Sequence, residues 1–276
     1  MNHLLVGGTH GNEWTGVYLL QDPDILDLTK KYSFKTLLAN QRAFEERKRF
    51  VDKDLNRSFD LQSENTPEMH ESKLAARILG EFKLDQFDFV IDLHSTTTNM
   101  GLTCILPERN TVLEKLLLYV QRQVKSLKII YYGEAGDAYL TSKCKNGIVV
   151  EVGPVANNLI DPNVYLKTKE LLSILMEAIN DGKYSKISGQ LEVYAWDQKV
   201  TYQKEDDLFL NMVHPDRQGK DFKPLQKGEP LMLGFDGEVE LYMGEEEVFP
   251  IFINEAAYYN YGYSMVLTKK RIWDVD

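Results

Sequence analysis

Over roughly the first 180 residues, short apolar runs alternate with segments whose apolar positions recur three and four apart. "HLLVGG" (3–8), "KTLLAN" (35–40), "DFVIDLH" (88–94), "LTCILP" (102–107) and "GIVVEVG" (147–153) are rich in branched or aromatic residues and end at Gly, Asn, Pro or polar positions, which predicts strands. "EWTGVYLL", "MHESKLAARILGEF", "TVLEKLLLYVQRQV" and "VYLKTKELLSILMEAIN" carry the helical period. Their alternation predicts a mostly parallel sheet covered by helices. After "NDGKYSKISGQ" (180–190) the pattern changes: "LEVYAW", "LMLGF", "VELYM", "VFPIFI" and "YSMVL" are aromatic and alternating, separated by Gly, Pro and acidic turns. The expected fold class is α/β over residues 1–186, followed by a smaller, mainly β domain over residues 187–276.

Composition narrows the function classes. A chain of 276 residues with 43% hydrophobic content can fill such a core. No window approaches the roughly 20 apolar residues that a membrane helix needs, and "MNHLLVGG" has no basic leader region, so a soluble, unprocessed chain is expected. Two isolated cysteines, Cys104 and Cys144, give neither a disulfide framework nor a Cys-rich zinc site, which fits a reducing, cytoplasmic setting. A net charge of -10 argues against nucleic acid or a membrane as partner, while leaving room for a local cationic pocket for a small anion. The basic run "ERKRF" (46–50) is diluted by Glu45 and Glu46 and reads as solvated or site-lining.

In open α/β sheets ligands gather beyond the carboxyl ends of the strands. The first predicted strand delivers His10 and Glu13 in "VGGTHGNEWTG", the third delivers Asp92 and His94, and "GIVVEVG" delivers Glu151. Two imidazoles and one carboxylate form a known ligand set for catalytic zinc, which keeps a fourth position for water. Gly7, Gly8 and Gly11 are expected to let the backbone bend sharply and to bring metal and substrate close. With zinc on His10, Glu13 and His94, Glu151 is the further carboxylate able to take a proton from water during attack and pass it to a leaving amine. That is amide hydrolysis. His3, His70 and His214 have no partner at ligand spacing, and Cys144, between lysines, reads as an ordinary thiol.

Six motifs in order, "GGTHGNEWTGV", "NQRAF", "DLNRSF", "DLHSTTTNMG", "EVGP" and "NEAAYY", resemble the aspartoacylase and succinylglutamate desuccinylase family of zinc carboxypeptidase-like hydrolases. The resemblance implies a zinc carboxypeptidase-like mixed sheet flanked by helices and a C-terminal β-rich domain that narrows the entrance to the site. It implies one Zn2+ per chain, a homodimer, and deacylation of N-acyl amino acids, above all N-acetyl-L-aspartate to acetate and L-aspartate. By position it places the zinc ligands on His10, Glu13 and His94, the general base on Glu151, and the arginine that polarises the scissile carbonyl on Arg49. Asn56 and Arg57 match the pair that binds a substrate carboxylate, and Tyr258 a tyrosine reaching substrate from the C-terminal domain with support from Glu255. Asp54 and Asp92 are expected to orient ligating histidines or substrate-binding arginines.

One position departs from the family pattern. The arginine for the substrate's side-chain carboxylate belongs ten residues before the general base, where this chain has Thr141. Lys143 is the expected replacement, because residues two apart in an extended segment share a face. The rival readings are a deacylase for another N-acyl amino acid, of aromatic or mercapturate type, a peptide carboxypeptidase, and a non-catalytic module that binds zinc or a carboxylate. Metal retention alone requires neither Glu151 nor Arg49, which disfavours the last.

Overall fold

Branched aliphatic runs that are buried on both faces form the centre of the protein. The computed structural model describes residues 2–61, 68–133 and 138–276. The first strands are β1 (His3–Gly7), β2 (Phe34–Leu38), β3 (Phe89–Ser95), β4 (Gly101–Leu106), β5 (Lys128–Tyr131) and β6 (Gly147–Gly153). The helices are α1 (Trp14–Leu19), α2 (Pro23–Lys31), α3 (Gln41–Glu45), α4 (His70–Phe82), α5 (Thr111–Gln123) and α6 (Pro162–Asp181). None of these helices is long and apolar enough to cross a membrane. Along β1 the side chains alternate: Leu5 packs with Ile25, Ile91, Leu116, Leu172 and Met176, whereas Leu4 and Val6 pack with Leu74, Ile78 and Val90. Helices therefore cover both faces, which is why the inner strands read as continuous apolar runs rather than alternating ones.

Three elements escape the hydrophobic pattern, β5, α2 and the short α3. β5 is only "KIIY" after a long helix, and α2 is a polar helix whose start is local chemistry: Asp22 Oδ1 accepts from the Asp24 and Ile25 N–H groups ahead of Pro23. Among β1–β6 the sheet is mostly parallel, as the pattern predicts, and mixed, as the resemblance implies: β1–β2, β1–β3, β3–β6 and β4–β5 pair in parallel, and β4 runs antiparallel to β6.

Beyond residue 187 come β7 (Gly189–Thr201), β8 (Lys204–Glu205), β9 (Leu208–Phe209), β10 (Asn211–Val213), β11 (Pro230–Gly234), β12 (Val239–Leu241), β13 (Phe249–Ile251) and β14 (Tyr263–Val275). The long strands β7 and β14 do not form a separate sheet. β7 joins β5 in parallel at Ile130↔Tyr194 and Tyr131↔Ala195, giving one sheet of nine strands in the order β2-β1-β3-β6-β4-β5-β7-β14-β13. The C-terminal part also carries a three-stranded sheet of β10, β11 and β12, and Glu255 and Asp221 tie that part to the loop after β3 by accepting from the Thr97 and Asn99 N–H groups.

Candidate active site

The carboxyl end of β1 sets the first two side chains. Gly8 turns the chain with φ +68, a conformation that favours glycine, and the Glu13 N–H closes onto the His10 carbonyl at 3.2 Å just before α1. The glycines beside it answer to backbone crowding rather than to metal or substrate. A Cβ on Gly7 would lie 2.8 Å from the Gly16 backbone, and one on Gly11 would lie 2.2 Å from the Ala43 carbonyl carbon. The strand thus packs directly on α1, and the His10 loop directly on α3.

β3 supplies His94 and β6 supplies Glu151, and the two are register partners on neighbouring strands. His10 Nδ1 lies 2.7 Å from Glu13 Oε1, and His94 Nδ1 lies 3.0 Å from Glu13 Oε2 and 3.1 Å from His10 Nδ1. The three ligand atoms fall within 4.8 Å of one another, and all three residues are buried. Each imidazole presents its other nitrogen to a carboxylate, His10 Nε2 to Asp54 Oδ1 and His94 Nε2 to Asp92 Oδ2, both at 2.9 Å. Asp92 is in turn fixed by the Thr9 hydroxyl at 2.8 Å. The two Nδ1 atoms and the Glu13 carboxylate thus face one another with the Nε2 atoms turned outward, an arrangement able to hold a cation between them. The donor set and its supporting carboxylates fit zinc.

Charge follows the same geometry. Burial pushes the Glu13 carboxyl up, but the two histidines outweigh it and hold Glu13 well below the usual range; His94 is likewise raised, against burial, by Asp92 and Glu13. Glu151 shifts the opposite way. Burial, then the negative charges of Glu13 and Glu255, raise it well above an ordinary carboxyl, over the opposing pull of His94 and Arg49. Arg49 donates to Glu13 Oε1 at 2.8 Å and to Asp54 Oδ2 at 3.4 Å, and these two carboxylates keep it charged against the cost of burial.

A cavity of about 100 Å³ opens beside this centre. His10, Arg49, Asn56, Arg57, His94, Thr141, Glu151 and Tyr258 line it, so the candidate residues converge on one space. Arg57 lies over the Tyr139 ring at 4.4 Å, and Asn56 Oδ1 accepts from the Leu140 N–H at 3.0 Å. Glu255 reaches from the C-terminal part to the loop after β3: its Oε2 accepts from the Thr96 hydroxyl, from the Thr97 N–H at 2.9 Å and from the Thr97 hydroxyl at 3.0 Å. Its Oε1 accepts from the Ala257 N–H at 3.1 Å, fixing the 3-10 segment Ala256–Tyr261 that carries Tyr258.

Lys143 is not among the lining residues, whereas Thr141 is. The expectation assumed an extended segment. Thr141–Lys143 is instead a 3-10 turn, in which residues two apart point to different sides.

Sequence reasoning also missed the remainder of the wall. Ile105, Ile130, Tyr132, Tyr139, Val149, Trp196, Phe252 and Tyr263 make it largely apolar and aromatic, with Trp196 packed on Tyr132 at 4.5 Å between ring centroids. Tyr261, three residues past Tyr258, sets its hydroxyl 3.3 Å from Asp54 Oδ2. The doubled aromatics of "AAYYNYGY" were the available signal, indistinguishable in sequence from core.

Comparison with known proteins agrees with this assembly. Residues 1–179 match the succinylglutamate desuccinylase/aspartoacylase catalytic domain, and residues 189–270 the AstE/AspA barrel-sandwich hybrid domain. The chain is 39% identical over 281 residues to a probable aspartoacylase of Trichodesmium erythraeum, covering 96% of each. It is 36% identical over 287 residues to a human N-acyl-aromatic-L-amino acid amidohydrolase (carboxylate-forming), covering 96% of this chain and 89% of that one. Murine aminoacylase 3 superposes with a TM-score of 0.89 at 32% identity, over 100% of this chain and 97% of that one. With both parts of the chain matched and relatives aligned along nearly all of it, the protein belongs to the succinylglutamate desuccinylase/aspartoacylase family of hydrolases.

Proposed function

We propose that the protein is a zinc-dependent deacylase of N-acyl L-amino acids with an apolar or aromatic side chain, residues 1–186 forming its catalytic part and 187–276 the part that narrows the entrance. The observation that carries the side-chain preference is the cavity wall. Beside the two histidines, its cations among the described residues are Arg49 and Arg57, and the rest of the wall is mostly Ile, Val, Trp, Phe and Tyr. One guanidinium is engaged with the reacting carbonyl and one with the α-carboxylate, which leaves a side-chain carboxylate without a cation and an aromatic ring with a matching surface.

Zinc held by His10, Glu13 and His94 supplies Lewis acidity for carbonyl polarisation and water activation. Arg49, fixed by Glu13 and Asp54, presents a permanent positive charge where the carbonyl oxygen gains negative charge, an interaction that grows towards the transition state. Glu151 takes the proton from the attacking water as its oxygen bonds to the acyl carbon. The same carboxyl then gives that proton to the nitrogen as the C–N bond breaks, releasing the acid and the amino acid. Asn56 and Arg57 hold the α-carboxylate, the guanidinium through paired hydrogen bonds. Tyr258 closes the site from the C-terminal part. A smaller cavity of about 30 Å³, lined by Glu13, Thr96 and Ala257 among others, shares His10, Arg49, His94 and Glu151 with the first and would take a short acyl group.

The second reading is N-acetyl-L-aspartate, favoured by the identity of 39% and 40% to two proteins named probable aspartoacylase. Hydrolysis of N-acetyl-L-phenylalanine, -tyrosine, -aspartate and -glutamate by zinc-loaded protein separates the two. A higher kcat/KM on the aromatic pair supports the first reading, the reverse ratio supports the second, and no hydrolysis of any substrate removes both.

A further inference from the structure

Between Arg49 and the 3-10 turn Leu55–Arg57 the chain makes a bend without regular structure, and one buried side chain from elsewhere accounts for its path. Glu71 stands in the first turn of α4 and is 0% exposed. An acidic residue there ordinarily serves its own helix terminus. This one faces away: its Oε1 accepts from the Val51 N–H at 2.7 Å and the Asn40 side-chain amide at 3.0 Å. Its Oε2 accepts from the Asp52 N–H at 3.0 Å and the Lys53 N–H at 3.2 Å. Two donors on each oxygen leave no place for a proton, so only the ionised carboxylate satisfies them all. Burial works against that charge, and the N–H donors together hold the carboxyl below the usual range.

The clamp is tied on both sides. Asn40 is itself fixed at the end of β2, its N–H donating to the Gly8 carbonyl at 2.9 Å and its Oδ1 accepting from Ala43 N–H at 3.3 Å. Asp52 returns a bond to α4, its Oδ2 accepting from the His70 N–H at 2.7 Å. Upstream, the Arg49 carbonyl accepts from Gly11 N–H at 3.0 Å; downstream, Asp54 Oδ1 accepts from the Asn56 N–H at 2.8 Å. The backbone from Arg49 to Arg57 is thus anchored at the His10 loop, at Glu71 and at Asp54.

We infer that Glu71 is a positioning residue for the reaction: its carboxylate fixes residues 51–53, and through them the spacing of Arg49 from Asp54, Asn56 and Arg57. Only the kinetic part of the test rests on the deacylase reading.

Glu71→Gln keeps length and volume, but either amide orientation sets an NH2 group against two N–H donors. In the zinc-loaded full chain, the amides of Val51, Asp52 and Lys53 should exchange about tenfold faster or more, with those of β3 unchanged. Zinc stays stoichiometric, because His10, Glu13 and His94 lie outside the clamp. On N-acetyl-L-phenylalanine, kcat per zinc-loaded molecule falls on the order of tenfold to a hundredfold, as for a small misplacement of reacting groups, and KM rises because Arg49 and Arg57 shift together. Asp52→Ala removes only the returning bond and should show the same changes at a few-fold; it decides the matter if Glu71→Gln does not fold. Unchanged exchange at 51–53 overturns the clamp. Faster exchange with unchanged kcat and KM, or a loss that merely follows the folded fraction, overturns the positioning role. If the wild type deacylates nothing, exchange alone judges the clamp, and the deacylase reading is what has failed.

Discussion

The metal-ligating centre and the cavity wall lie within one site yet are built by different means. Each imidazole or guanidinium of the centre is held by a carboxylate: His10 by Asp54, His94 by Asp92, Arg49 by Glu13 and Asp54. The wall is assembled from distant segments whose rings pack on one another, Trp196 on Tyr132 and Tyr258 on Tyr263 at centroid separations of 4.5 and 4.3 Å. The centre is directional and polar, so loss of one atom is costly. The wall is an apolar surface, where a change alters fit more than chemistry. Substitutions in the two should therefore differ in kind as well as in size.

The largest effect belongs to the centre. His94→Ala removes a ligand atom and should abolish both stoichiometric zinc and deacylation; equal zinc in wild type and variant after dialysis would show the ligand assignment to be wrong. Asp92→Asn, which leaves all three ligands in place, should weaken zinc affinity by only about 10–100-fold. Glu151→Gln separates holding zinc from using it. Zinc content should be unchanged while kcat falls by roughly 10²–10⁴-fold, the range for general acid–base catalysis. Near-normal turnover would remove Glu151 from proton transfer.

Substitutions in the wall should change preference instead. Trp196→Ala opens the aromatic side and should lower kcat/KM for N-acetyl-L-phenylalanine on the order of tenfold, with N-acetyl-L-aspartate far less affected. Thr141→Arg supplies the cation missing from the wall and should move the ratio towards the diacid by about the same factor. If both substitutions leave the substrate ratio where it was, side-chain selection does not occur at this wall.

The same contrast explains what could be read from the sequence. His10, Glu13, Asp92, His94 and Glu151 stand at or just beyond the carboxyl ends of strands, and a parallel pair brings such positions together, so the strand pattern alone nearly assembled the centre. Asp54, Asn56 and Arg57 follow no strand in the sequence, and only the family resemblance placed them. The wall was illegible because Ile130, Trp196 and Tyr263 have the alternation of core residues, and nothing local reveals that β7 joins β5. Lys143 stands outside the cavity lining through a local detail, a 3-10 turn in place of an extended run. Glu71 looked like a helix-start acid, and its four donors come from Asn40 and a bend at 51–53 that no periodicity describes.

The smallest expected effect lies at the seam between the two parts. Asp221, in the C-terminal part and 5% exposed, accepts from the Ile253 N–H at 3.0 Å and from the Asn99 N–H, just after β3, at 3.1 Å. Burial raises its carboxyl to about 6, the two N–H groups oppose the shift, and the charge of Glu255 adds to it. A raised acid binds its proton more tightly in the folded chain than in the unfolded one. Its stabilising contribution is therefore complete below about pH 4 and is lost as pH rises through about 6. The shift corresponds to roughly 1–3 kcal/mol, a few degrees in melting temperature for a chain of this size. Asp221→Asn cannot titrate; it should be less stable throughout, since one N–H loses its acceptor, but its stability relative to wild type should rise between pH 4 and 6 and then stay level. Wild type and variant running parallel across that window would show that Asp221 is ionised throughout, with the seam held by a charged carboxylate as the centre is.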